Sequence, residues 1–146
     1  MRKALALAAA MAVVTIGTVQ AQGGPNLIEY RQVGMSLLAG DFAGIRAVAT
    51  AKGDVKTLEG PAKAIQRWAA LIPAVFPAGT QAGNNTKALP EIWSDQPGFQ
   101  KAAAVMGEAA GALSVAAKTG DADGVAAGIK AIGDACGACH RTYRAR

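Results

Sequence analysis

Residues 121–146 read DADGVAAGIKAIGDACGACHRTYRAR. Val125, Ile129, Ile132, Cys136, Cys139 and Tyr143 recur at steps of four, three, four, three and four, which places all six on one stripe of an α-helix. Asp121 or Asp123 stands ahead of the stripe as its cap. The stripe carries both cysteines of the chain, and His140, the single histidine, follows Cys136 by four residues on nearly the same face. A helix that buries its thiols in this way needs other helices to cover it. This segment therefore sets the fold.

Cys136-Gly137-Ala138-Cys139-His140 spells C-x-x-C-H, the attachment signature of a c-type haem. Each thiol can add across a haem vinyl group to form a thioether, and the adjacent imidazole can ligate the iron from one side. Competing readings of C-x-x-C fail on context. A thioredoxin-like site needs a βαβ setting, and no strand-like alternation is present. A closed zinc site needs four ligands, and only three stand together here. A plain helical disulfide leaves His140 without a role. One covalent haem c is the expected cofactor, held by Cys136 and Cys139 and ligated by His140. With no second imidazole, the sixth iron position is either empty or filled by another kind of donor.

Helical periodicity runs through the rest of the chain. Ile28, Arg31, Met35, Leu38, Phe42 and Ile45 make one stripe on a first helix of about residues 26–49. A second helix begins near Asp54, carries Leu58, Ala62, Ile65, Ala69 and Ile72, and stops at Pro73; Pro61 either kinks it or marks the start of its regular part. A third enters through Asp95 or Pro97, carries Phe99, Ala102, Met106, Ala109 or Ala110, Leu113 and Ala117, and closes at Lys118 and Gly120. The expected fold is all-α, an antiparallel four-helix bundle with the haem inside. Residues 73–94, rich in Pro, Gly and Asn, form a long connector whose expected task is to pass over one haem edge.

The N-terminal stretch stands apart. Arg2 and Lys3 precede an apolar run to Ile16, and Val19-Gln20-Ala21 gives a small-x-small cleavage pattern. Residues 1–21 are expected to be a cleaved signal peptide and 22–146 the working domain, exported to the periplasm, where C-x-x-C-H receives its haem. The alternative, an uncleaved anchor, needs roughly 20 apolar residues. No stretch after residue 21 reads as apolar enough to cross a membrane. Of the 15 basic residues, 13 lie past the leader against 10 acidic ones. This near-balance, with few aromatics among the cations, gives nucleic-acid binding no support.

C-x-x-C-H on the last helix, Tyr30-Arg31-Gln32 on the first, and Gly79-Thr80 through Pro90-Glu91-Ile92-Trp93-Ser94-Asp95 resemble the class II c-type cytochromes, above all cytochrome c′. The likeness covers essentially all of the chain after the leader. It implies a bundle that often pairs as a homodimer through its first two helices, and a five-coordinate haem whose distal face is packed by one apolar side chain. That distal position, four residues after Arg31, is Met35. The resemblance further implies that Arg31 and Gln32, with Thr80 and Glu91, lie near the haem propionates or rim, and that Arg144 lies by the proximal imidazole. Apart from it, Arg31 also reads as a solvated helix cation.

Ile72-Pro73-Ala74-Val75-Phe76 lacks the tryptophan that many cytochrome c′ chains carry there. It resembles instead low-spin relatives of the same class, whose sixth ligand is a first-helix methionine at this position; those relatives lack the Arg31 and Arg144 equivalents that this chain keeps. Met106 reads as core packing. Two functions follow: binding of small diatomic gases (nitric oxide, carbon monoxide) at an open iron, or electron carriage by a centre with Met35 as sixth ligand. Peroxidase chemistry has no distal acid or base to support it, so no enzymatic activity is expected. The redox partner is not legible.

Overall fold

The side-chain oxygen of Asn26 accepts hydrogen bonds from the amides of Ile28 and Glu29 and starts α1, Leu27–Thr50. In the computed structural model, which describes residues 26–146, four further α-helices follow: α2, Glu59–Leu71; α3, Glu91–Ser94; α4, Gln96–Thr119; and α5, Ala122–Tyr143. The expected leader, residues 1–21, lies outside the described residues. Asp95 caps α4 through the Gly98 amide, and Asp121 caps α5 through the Gly124 amide. Gly120, at φ 79°, takes the left-handed turn between them.

Two expectations need correcting. The second helix is not continuous from Asp54. A 3₁₀ turn at Val55–Leu58 precedes it and another at Ile72–Val75 follows it. Pro61 sits in the first turn of α2, where its missing N–H removes no helical bond, and it does not kink the helix. The connector also holds structure of its own, the short α3. Its backbone meets the chain end in an isolated antiparallel bridge between Ala88 and Arg144.

Helices α1, α2, α4 and α5 form the bundle. α4 is its centre, packed along α2 on one side and α5 on the other. It buries Phe99, Ala103, Met106, Ala110, Leu113 and Ala117, most of them on the expected stripe. α1 packs more thinly. Its stripe is buried at the ends, at Ile28, Arg31 and Ile45, while Met35, Leu38 and Phe42 in the middle are only half-buried. By length and composition α1 is apolar enough to cross a membrane, contrary to the sequence reading. Ile28 and Ile45 enter the core and Met35, Leu38 and Phe42 line an internal cleft, while Tyr30, Val33 and Leu37 stay exposed.

Small residues set the helix spacing. A Cβ on Gly128 of α5 would stand 2.7 Å from the Cβ of Leu113 and 3.1 Å from its Cα, so the backbones of α4 and α5 would have to separate. Gly128→Ala gains helix propensity but overpacks this contact. Urea unfolding of the holoprotein should show a net loss of about 1–3 kcal/mol.

Candidate haem site

α5 supplies one wall of the internal cleft. Cys136 and Cys139 are free thiols, half-buried against the core and one helical turn apart. Burial raises the pKa of both, and for Cys139 the neighbouring Cys136 adds to the rise. Burial thus favours the neutral thiol over the thiolate at both positions. His140 lies on the same wall and keeps solvent access. Partial burial, then the charge of Arg144, lowers its pKa, which favours the neutral imidazole that binds metal.

The end of this wall is locked. Tyr143 is buried and donates a hydrogen bond from its hydroxyl to Asp95 Oδ2 at 2.9 Å, while Asp95 Oδ1 caps α4. Its ring meets Phe99 edge-on, with centroids 5.2 Å apart. Burial, then the bond to Asp95, raises the Tyr143 pKa. Gly98 is required beside this pair, since a Cβ there would fall 2.1 Å from Asp95 Oδ2 and 2.6 Å from the Tyr143 hydroxyl.

α1 forms the other wall, with Met35, Leu38 and Phe42 on it. The cleft between holds about 630 Å³, within the range of cofactor sites. Ile65, Ile72, Ile92, Phe99, Met106 and Ile132 give it an apolar interior. Met106 is buried in the core, as expected, and also reaches the cleft. Among the described residues no Asp or Glu lines the cleft; its charged side chains are Arg31, Lys87 and Arg144, with His140 the other titratable nitrogen. Two thiols and an imidazole on one wall of an apolar slot, with cations and no acids, fit a flat apolar macrocycle that carries two carboxylates.

Arg31 is not a solvated cation. Only 2 % of it is exposed, and both of its Nη atoms are hydrogen-bonded. Nη1 donates to Thr80 Oγ1 (2.8 Å) and to the Val75 carbonyl (3.5 Å); Nη2 donates to the Thr80 carbonyl (2.8 Å) and Thr86 Oγ1 (3.1 Å). The guanidinium stacks on Phe76 at 4.3 Å from the ring centroid. Thr80 thus serves Arg31 and does not line the cleft. Glu91 is exposed in the first turn of α3 and does not line it either. Gln32 and Arg144 do reach it, Gln32 also donating to the Asn84 carbonyl at 2.9 Å. Sequence reasoning missed Lys87, Phe76 and Tyr143 as cleft residues. Tyr143 was on the legible stripe, whereas Lys87 sits in a connector whose path no periodicity reveals.

The family model described as Cytochrome C′ matches residues 26–144. The chain is 34% identical over 121 residues to cytochrome c′ of Rubrivivax gelatinosus, covering 82% of this chain and 94% of that one. It is also 34% identical over 119 residues to cytochrome c-556 of Agrobacterium tumefaciens (strain B2A), covering 80% and 95%. Cytochrome c prime from Alcaligenes xylosoxidans, solved as a nitric oxide complex of a variant, superposes with a TM-score of 0.74 at 31% identity, over 83% of this chain and 94% of that one. Another variant of that protein was solved with carbon monoxide bound.

Tyr143→Phe keeps the packing on Phe99 and removes the bond to Asp95. It should cost about 1–3 kcal/mol in denaturant unfolding of the holoprotein, since the bond runs to a charged acceptor. Asp95 keeps its cap on α4 in this variant, so the helical circular dichroism should be unchanged.

Proposed function

The chain belongs to the cytochrome c′ family, whose members carry one covalently attached c-type haem, and from that premise we propose that it is a periplasmic haem protein with a five-coordinate iron that binds small neutral gases. The observation that carries this reading is the chemistry of the α1 wall. Met35, Leu38 and Phe42 make its middle apolar, while Arg31, Gln32 and Ser36 of the same helix also line the cleft. When bound, the haem would supply an iron able to take a small diatomic ligand and a one-electron couple. Cys136 and Cys139 would hold it as thioethers, and His140 would ligate the iron. Arg144 lies beside the imidazole and favours its neutral form. The α1 side chains exclude water and anions from the opposite face, which leaves nitric oxide and carbon monoxide as the fitting ligands. The gas complexes of the Alcaligenes relative support the same ligand class. No residue on the wall is placed to cleave a peroxide, so the activity proposed is binding, not catalysis.

Met35 favours a second reading. It is half-buried on the cleft wall, and its thioether could serve as the sixth ligand of a low-spin electron carrier. An absorption spectrum of the reduced holoprotein separates the two. A broad high-spin spectrum that shifts with carbon monoxide is expected. A sharp split visible band pair, indifferent to the gas, would replace it with the electron-carrier reading. Met35→Ala should leave the spin state unchanged and raise the carbon monoxide association rate.

A homodimer through α1 and α2 also belongs to this proposal. Tyr30, Val33 and Leu37 are 50%, 53% and 66% exposed along one face of α1. With Gly34, Leu38, Ala64 and Trp68 they line a largely apolar groove against α2, with Asp41 its one acidic residue. The Trp68 ring lies so close over α1 that a Cβ on Gly34 would fall 2.0 Å from it, and its buried Nε1 has no hydrogen-bond partner. Leu37→Glu places a charge on this face. Sedimentation should show a dimer for the parent chain and a monomer for the variant, with an unchanged haem spectrum.

A further inference from the structure

The two walls of the cleft meet where Phe42 of α1 reaches α5. Phe42 lines the cleft, and a Cβ on Gly133 would stand 3.9 Å from its ring carbon Cζ. No other residue beyond its own helix packs within 4 Å of that position. The ring tip therefore lies at most about 5.5 Å from the Gly133 Cα, one C–C bond further on. A flat ring lying between the two would need about 7 Å, since each of its faces takes a contact of roughly 3.5 Å. A macrocycle cannot pass this point, and the slot ends there.

Both sides of this contact are held firmly. Phe42 lies one turn before Ile45, and Gly133 directly follows Ile132; each isoleucine is only 1% exposed, seated in the core. Gly133 also precedes Cys136 by three residues and His140 by seven, so it shares their face of α5. About 10 Å of helix axis separates it from His140. We infer that Phe42, resting against Gly133, is the floor of the slot and a positioning residue that stops the inner edge of the haem. Gly133 seats the ring without filling the slot. A methyl there reaches only ordinary contact, whereas a larger side chain would drive the Phe42 ring toward the cofactor. The inference rests on the covalent haem and holds for either sixth ligand of the iron.

Resonance Raman spectra of the holoprotein test it, because the out-of-plane bands of the macrocycle respond to contacts at its edge while separate bands report spin state. The urea midpoint, measured beside them, reports packing. Phe42→Ala should shift the out-of-plane bands and lower the midpoint, and the milder Phe42→Leu should shift them in the same sense by less. Ile45→Val, a core change on the same helix that does not line the cleft, should lower the midpoint and leave the bands in place. Gly133→Ala should raise the midpoint, since alanine is the better helix former, with the bands unmoved. Gly133→Leu should displace the Phe42 ring and shift the bands from the opposite wall. Bands unmoved in both Phe42 variants while the midpoint falls make Phe42 a packing residue and overturn the inference, as do bands that move equally in Ile45→Val. A low-spin parent spectrum would overturn only the five-coordinate reading and leave these comparisons decisive.

Discussion

A bundle that must leave a slot of about 630 Å³ along its core cannot pack all four helices equally. Close packing is the normal state of a protein interior, and every wall atom of an open slot forgoes dispersion contacts. The helices divide the burden. α4 makes tight contacts with α2 and α5, aided by glycines such as Gly128. α1 stands off, anchored at its ends by Ile28, Arg31 and Ile45. The middle of its stripe is left for the cofactor to cover. The covalent tether on α5 then completes a core that the polypeptide alone leaves open.

The same constraint explains what the sequence could and could not disclose. The stripes on α1, α4 and α5 were legible because each helix has one face with a single period. Asn26, Asp95, Asp121 and Gly120 mark boundaries by local hydrogen bonding and backbone preference, which need no tertiary knowledge. The placement of Cys136, Cys139 and His140 on one wall follows from helical spacing alone. Arg31 was legible as an important position but not in its role. Its partners Thr80 and Thr86 lie 49 and 55 residues away, in a segment shaped by turns. Gly83, Asn84 and Asn85 all take positive φ there. Such a path depends on where its ends are tied, and the tie at Ala88 and Arg144 is a tertiary contact.

The electrostatics of the cleft follow from the same layout. Its apolar walls are supplied by helices, and its charged side chains are few: Arg31 within α1, Lys87 in the connector, and Arg144 just past α5. Arg31 is buried and satisfied by Thr80 and Thr86, whereas Lys87 and Arg144 are exposed and keep their hydration.

The bridge between Ala88 and Arg144 also bears on the order of assembly. Lys87 and Arg146, which it brings together, are 59 positions apart in sequence. In a polypeptide made from its N-terminus this contact has to form after α5, and so after the two thiols have emerged. Without Tyr143 and Ala145 in place, the connector lacks the backbone hydrogen bonds that tie Lys87 and Leu89. The segment just past α5 thus fastens the connector only once the turns that carry both thiols have been made.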